Sequence, residues 1–322
     1  MKILVTGAAG FIGRAVSNVL AKRGELVFGI DNLNDYYSPA LKQARLDLLK
    51  DFENFRFQKM DLANSAAIRS LFASEKFDAV VHLGAQAGVR YSLENPQAYI
   101  DSNITGTLSI LEACRHYPVR QLVYASSSSV YGDNAKIPFS VEDRTDNPVS
   151  LYAATKKSNE LMASTYTHLF GIPATGLRFF TVYGPWGRPD MAPMLFAKSI
   201  LEGKPIRVFN HGDMRRDFTY IDDIVEGVVN CLNPDFQDSR ISRIFNIGRG
   251  EPVELLRFIE ILEENLGTKA IKEMLPMQPG DVPATWADTT ALEKATGYRP
   301  KTSLEEGIKH FAKWYLEYEK KA

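Results

Sequence analysis

Short runs that read as strands recur through the first half of the chain, at Ile3–Val5, Leu26–Ile30, Phe55–Lys59, Ala79–Leu83, Leu122–Ala125 and Ala174–Arg178, and most are apolar with β-branched residues. Runs of this length, bounded by glycine and polar residues, predict strands buried on both faces. Between them, apolar residues recur every three or four positions, which predicts helices over Gly13–Arg23, Ala66–Ser74, Ile104–His116 and Tyr152–Phe170. Strand–helix alternation of this kind predicts an α/β fold with a doubly wound parallel sheet and helices on both faces. Right-handed crossovers would place every strand's C-terminal end, and the ligand loops with it, along one edge.

The texture changes after residue 180. Gly184, Pro185, Gly187, Pro189, Pro193 and Pro205 cut the chain into short pieces, and the later predicted helices, Glu254–Leu266 and Leu304–Tyr318, have no long strand between them. Two domains follow: residues 1–180 carrying the sheet, and residues 181–322 as a smaller mixed α/β lobe facing its ligand edge. A helical Ile221–Leu232 and a strand-like Ile244–Ile247 are expected to return and complete the first domain over 221–250.

Composition narrows the classes. Lys+Arg 38 against Asp+Glu 39 over 322 residues gives a net charge of −1. That excludes the broad cationic field of a nonspecific nucleic-acid or acidic-membrane binder, while leaving room for a local basic site. Cys114 and Cys231 lack CxxC spacing, so no disulfide scaffold is expected and a reducing compartment fits. The first predicted strand begins at Ile3, so no signal peptide is expected. The least polar stretch, Ala79–Val89, falls well short of the roughly 20 apolar residues of a membrane-spanning helix. A cytoplasmic protein is expected. His82, His116, His168, His211 and His310 show no ligand spacing, so no metal site is expected.

Three features carry chemistry. Gly7-Ala8-Ala9-Gly10-Phe11-Ile12-Gly13 follows the first strand and opens the first helix, where glycines allow a tight turn and close approach of backbone to a pyrophosphate. Asp31 closes the next strand; an acid there accepts the ribose hydroxyls of NAD and repels the extra phosphate of NADP. Tyr152 and Lys156, four residues apart at the start of a helix, share one face, and a nearby ammonium lowers a phenol's pKa toward that of a usable base. With 14 tyrosines, about one such pair is expected by chance, so its meaning comes from its company. That company is Ser126-Ser127-Ser128-Ser129, four hydroxyls at the C-terminal end of a predicted parallel strand.

Together these features resemble the extended branch of the short-chain dehydrogenase/reductase superfamily, Rossmann-like enzymes that act on nucleotide sugars. The resemblance runs essentially end to end. It takes in Asp61-Leu62, His82–Gly88, Arg178–Pro185, Arg216-Asp217-Phe218 with Asp222-Asp223, Phe245–Gly248 and Pro279–Pro283. Three stretches are closer still to UDP-glucuronate 4-epimerases: Asp31–Tyr37, Gln86–Ser92 and Trp186–Met191.

The resemblance implies roles. Gly7, Gly10 and Gly13, with Phe11 and Ile12, would hold the NAD pyrophosphate, and Asp31 with Asn32 the adenosine ribose. Asp61 and Leu62 would flank the adenine, and Gly84 and Ala85 would join the cofactor set. Lys156 would bind the nicotinamide ribose and tune Tyr152, the general base, with Ser127 hydrogen-bonding the same sugar oxygen. Arg216 would pair with the UDP pyrophosphate, with Asp281 near it. Arg90, Ser128, Ser129, Thr181, Arg188 and Gln278 would complete the substrate set. Arg188 carries two readings: it receives a C6 carboxylate, helped by Thr181, Ser128 and Ser129, or it ties down its Pro-rich loop. The sequence departs from the resembling families at Gln278, where galactose-type epimerases often have arginine, and at Gly84, where glucuronate epimerases usually have alanine.

An NAD-dependent UDP-sugar 4-epimerase is therefore expected, with UDP-glucuronate and UDP-galacturonate as its pair. Related dehydratases carry Asp-Glu at the Ser128-Ser129 positions and related decarboxylases a glutamate at Ser129, so serines predict that the 4-keto sugar goes no further. The alternatives are a neutral UDP-hexose epimerase or a non-catalytic, NAD-sensing relative. The stripes Ile104–Cys114 and Leu161–Phe170 allow two readings, burial on the chain's own sheet or pairing in a homodimer as in similar epimerases.

Overall fold

The computed structural model describes residues 1–233, 241–278 and 282–320. Its strands, in chain order, are β1 Lys2–Thr6, β2 Leu26–Asp31, β3 Phe55–Lys59, β4 Ala79–His82, β5 Gln121–Ser127, β6 Ala174–Phe179, β7 Thr181–Tyr183, β8 Pro205–Val208, β9 Arg215–Tyr220, β10 Ser242–Ile247, β11 Pro252–Glu254, β12 Ile271–Met274 and β13 Ala284–Thr285. Seven form one sheet in the order β10-β6-β5-β4-β1-β2-β3. Every pair from β3 to β6 is parallel. Strand order reverses between β1 and β4, the switch point beside which open α/β sheets bind ligands.

Ile3, Leu4 and Val5 are wholly buried, as a central strand covered on both faces requires. The helix Phe11–Lys22 turns Phe11, Ala15, Val16 and Leu20 inward as one stripe. One continuous core combines Leu4, Ile30, Val80 and Leu122 of the strands with Ile68, Phe72, Ile110 and Leu111 of helices. The expected helix from Ile104 starts earlier: a π-helical segment, Ile100–Thr105, runs into the α-helix Gly106–His116. Wide turns of this kind break the 3.6-residue period, which hides them from pattern reading.

The chain divides into two compact units, residues 1–134, 143–179 and 225–245 in the first and 135–142, 180–224 and 246–322 in the second. Residues 225–245, with most of the helix Ile221–Asn230 and of β10, return to the first unit, while 221–224 and 246–250, expected with them, belong to the second. Residues 135–142, expected in the first domain, belong to the second. The cause is Phe139, which bridges to Ala287 and accepts at its carbonyl from Asn246 Nδ2 at 2.7 Å.

The second unit contains strands that its proline-cut sequence did not predict. β9 lies between β11, antiparallel, and β13, parallel, with β7 also parallel to it, while β8 pairs with β12. Asp217 on β9 is wholly buried. Its carboxylate accepts from the backbone N–H of Arg249 (2.8 Å), Gly250 (2.9 Å) and Ala287 (3.1 Å), and from Thr219 Oγ1 (2.9 Å). Burial raises its pKa and these bonds oppose the rise. One carboxylate therefore joins β9 to two distant loops. No helix of the described residues is long and apolar enough to cross a membrane.

Candidate active site

The glycine loop folds so tightly that its own backbone excludes side chains. Gly7 has φ +71°, and a Cβ on Gly13 would lie 2.0 Å from the Gly7 carbonyl oxygen. The N–H groups of Gly7 and Ala8 both donate to Ile30 O (2.8 and 3.1 Å), fastening the loop to the end of β2. Beyond it, Phe11, Ile12 and Gly13 form the first helical turn, whose N–H groups an α-helix cannot satisfy internally. The Phe11 side chain is buried, so only its backbone faces a ligand.

Asp31 caps this floor. Its carboxylate accepts from Ala9 N (3.2 Å) and Leu33 N (2.9 Å). Burial raises its pKa, against the Leu33 bond, the Lys42 charge, the Ala9 bond and the Arg45 charge. Asn32 Nδ2 donates to Asp61 Oδ2 at 2.9 Å, which joins two residues of the expected adenosine site. Leu62 lies beneath Gly84, where a Cβ would meet Leu62 Cδ1 at 2.8 Å and Thr6 Oγ1 at 3.0 Å. Ala85 follows, half-buried. A backbone cradle with free helical N–H groups and an acid at the second strand fits an adenine dinucleotide.

His82 beneath this floor is structural. Thr6 Oγ1 accepts from Gly84 N at 2.9 Å and lies 2.8 Å from His82 Nδ1, and His82 Nε2 lies 3.2 Å from Thr107 Oγ1. Burial, and then the Lys156 charge, push its pKa down to about 3, so the ring is neutral.

β5 runs two residues beyond its predicted end and delivers Ser127 at its tip, 7% exposed. Ser127 Oγ accepts from Ser129 N at 3.1 Å, and a hydroxyl that accepts still has its proton to give. Ser128 and Ser129 follow, half-buried, in a 3₁₀ turn. Ser150 caps the next long helix, Leu151–Phe170, by accepting from Ala153 N at 3.1 Å, which sets Tyr152 in its first turn. Lys156, one turn later and 4% exposed, donates to Ala125 O at 3.1 Å, and burial lowers its pKa to about 8. The edge of the Tyr99 ring meets Tyr152 at 6.1 Å.

Sequence reasoning missed what holds these elements in register. Glu160, one turn beyond Lys156, accepts from Arg178 Nε (2.8 Å) and Nη2 (2.9 Å) and from Ser126 Oγ (2.6 Å). Arg178 Nη1 also donates to Tyr131 OH at 3.0 Å. The signal available was Arg178 itself, a cation on a predicted buried strand. Asn103 was missed too: it donates to Thr155 Oγ1 at 3.0 Å and exchanges bonds with Gln86, tying the β4 loop to the same helix.

In the second unit, Thr181 starts β7 half-buried, and Arg188 Nε donates to Asp190 Oδ1 at 3.1 Å while its Nη2 meets Oδ2. Arg216 Nη1 donates to the carbonyls of Arg215 (2.9 Å) and Pro283 (3.1 Å). Gln278 is half-buried, and Arg90 of the first unit is exposed. Asp281 lies outside the described residues. Among those residues, no group of three His, Cys, Asp or Glu could hold a metal ion.

A doubly wound sheet, a glycine cradle with an acid on the second strand, Ser127 at the end of β5, and Tyr152 with Lys156 on the helix bonded to that strand are features of a dinucleotide-dependent enzyme of the short-chain dehydrogenase/reductase type. Residues 3–248 match the NAD dependent epimerase/dehydratase family, and the chain belongs to it. It is 49% identical over 330 residues to UDP-glucuronate 4-epimerase 4 of Arabidopsis thaliana, covering 98% of this chain and 75% of that one. With a probable UDP-glucuronate 4-epimerase of Rhizobium meliloti the identity is 46%, over 98% and 97% of the two chains. The crystal structure of UDP-glucuronic acid 4-epimerase from Bacillus cereus, in complex with UDP-glucuronic acid and NAD, superposes with a TM-score of 0.92 at 38% identity, over 99% of this chain and 100% of that one.

Proposed function

We propose that this chain is an NAD-dependent UDP-sugar 4-epimerase that interconverts UDP-glucuronate and UDP-galacturonate. The observation that carries the reading is Ser127 at the tip of β5 with Tyr152 and a buried Lys156 in the first turns of a helix that Lys156 bonds to β5, in the same unit as the glycine cradle. NAD, when bound, supplies the acceptor and donor of a hydride at the sugar's C4.

Tyr152 is the base that takes the 4-hydroxyl proton and later returns it. Ser127 holds the same oxygen through its free proton. Lys156 places a positive charge one helical turn from the phenol, favouring the phenolate, and reaches the nicotinamide ribose. Ser128 and Ser129 offer hydroxyls without an accessible pKa, so the 4-keto sugar has no acid–base pair to drive loss of water or carboxyl and is reduced again on its other face.

The first unit holds the dinucleotide, and the second supplies the contacts to the UDP phosphates and the C6 carboxylate. Gly7, Gly10, Phe11, Ile12 and Gly13 take the pyrophosphate, Asp31 and Asn32 the adenosine ribose, Asp61 and Leu62 the adenine, and Gly84 and Ala85 line the same groove. Arg216 meets the UDP phosphates. Arg188 and Thr181 receive the C6 carboxylate, which requires Arg188 to share or exchange Asp190. Arg90, Gln278 and Asp281 complete the substrate contacts. A cytoplasmic homodimer is part of this reading. Leu108 (41% exposed), Leu161 (58%) and Leu169 (61%) leave apolar surface on Gly106–His116 and Leu151–Phe170 that a second copy would cover.

The test is incubation of the purified protein with UDP-glucuronate, UDP-glucose and UDP-N-acetylglucosamine, with separation of the products. UDP-galacturonate as the main product is expected, and Tyr152→Phe should abolish it while NAD stays bound. A wild type that prefers UDP-glucose would refute the uronate assignment.

A further inference from the structure

Two stretches singled out in the sequence, Asp31–Tyr37 and Gln86–Ser92, have no role in the chemistry above beyond Asp31, Asn32 and Arg90. They follow β2 and β4, the strands on either side of β1, so the glycine loop at the end of β1 lies between them. In the structure the two stretches meet. The rings of Tyr36 and Tyr91 are 4.6 Å apart at 40°. A Cβ on Gly88 would lie 2.6 Å from Tyr36 Oη, so this glycine, at φ +101°, is what lets the hydroxyl reach the second stretch.

Each limb is anchored by buried groups. On the first, Lys42 Nζ donates to the carbonyl and the side-chain oxygen of Asn34, both at 2.6 Å. Arg45 Nη1 donates to Tyr37 Oη (2.7 Å) and to Ala9 O (3.2 Å) of the glycine loop itself. Lys42 and Arg45 are 5% and 0% exposed, and these hydrogen bonds offset the cost of burying two cations. On the second limb, Tyr99 Oη donates to Ala87 O (3.0 Å) and Gly88 O, while Asn103 exchanges bonds with both backbone groups of Gln86. Each limb is thus tied back to the fold at several points, and the Tyr36–Tyr91 ring pair joins one limb to the other.

We propose that Tyr36 and Tyr91 form a clasp across the cofactor groove that gates the entry and release of NAD and so keeps it bound through repeated turnovers. The proposal rests on NAD lying along the glycine loop. A clasp differs from an ordinary contact in kinetics. A residue that touches NAD slows only release, whereas a clasp slows association and release together.

The experiment measures exchange of bound NAD against excess deuterated NAD by mass spectrometry, and the association rate of NAD with stripped protein, for wild type, Tyr36→Ala, Tyr91→Ala, the double variant and Tyr36→Phe. A tilted ring pair accounts for about a two- to tenfold rate change. Both alanine variants should exchange and associate faster by that factor, with Kd changed by less than about threefold. The double variant should go no further than either single one, and Tyr36→Phe, which keeps the ring pair but loses the hydroxyl packed at Gly88, should fall between wild type and Tyr36→Ala. Unchanged exchange, or faster release at an unchanged association rate, would overturn the clasp. A stripped wild type that takes up no NAD would instead overturn the cofactor site beneath it.

Discussion

Glu160→Gln isolates the electrostatics of the buried clamp, because the amide keeps the shape of the carboxylate. Glu160 and Arg178 are 4% and 3% exposed, and the substitution replaces a two-bond ion pair, at 2.8 and 2.9 Å, with at best one bond from the guanidinium to a neutral amide oxygen. It also leaves the Arg178 charge without its counter-ion. Breaking such a pair costs about 3–5 kcal/mol. At about 2–4 °C per kcal/mol for a domain of this size, the midpoint of thermal unfolding should fall by about 6–20 °C. Activity should fall as well, since Ser126, whose hydroxyl donates to Glu160 at 2.6 Å, directly precedes Ser127. The assay pairs calorimetry with kcat on UDP-glucuronate. Glu160→Met with Arg178→Met should lose less than Glu160→Gln, because no charge is left stranded. The pH dependence has a definite sign. Burial raises the Glu160 pKa, but the bonds and charge of Arg178, with Ser126 and Lys157, outweigh it and leave it below its ordinary 4.5. The pair therefore stabilises above pH 4.5 and loses that contribution as the pH falls below it, so the variant's deficit should shrink only in acid. A midpoint within about 2 °C of wild type at pH 7 would refute the clamp.

Gly13→Ala should purify without NAD, because its Cβ would lie 2.0 Å from Gly7 O; a variant that retains NAD would show that the loop can refold around it. His82 is pushed from 6.5 to about 3, so its neutral form stabilises fully above pH 6.5 and about 2 kcal/mol of that is lost by pH 5. Melting curves of His82→Asn should show a flatter decline across that interval, and an equal decline would place the loss elsewhere. Arg188→Ala should lower kcat/KM for UDP-glucuronate about ten- to 150-fold, the worth of about 1.5–3 kcal/mol, and that for UDP-glucose far less. An equal loss on both sugars would leave Arg188 as the partner of Asp190 and a tie for its own loop.

The sequence by itself determined the doubly wound sheet, because buried parallel strands must be continuous apolar runs and their helices must repeat every 3.6 residues. It also determined the glycine cradle, Asp31 and the Tyr152–Lys156 pair, since each is local: a turn, a strand end, one helical step. Only the tertiary structure decided the rest, because the partners lie far apart in sequence. Glu160 and Arg178 lie on a helix and a strand whose contact no local period reveals, and Tyr36 meets Tyr91 only because β2 and β4 flank β1. The second unit's strands run from two to six residues, too short for alternation to show, and they are organised by Asp217, which binds backbone at Arg249, Gly250 and Ala287. A buried carboxylate must find donors wherever the fold supplies them, and where it supplies them is a property of the assembled chain.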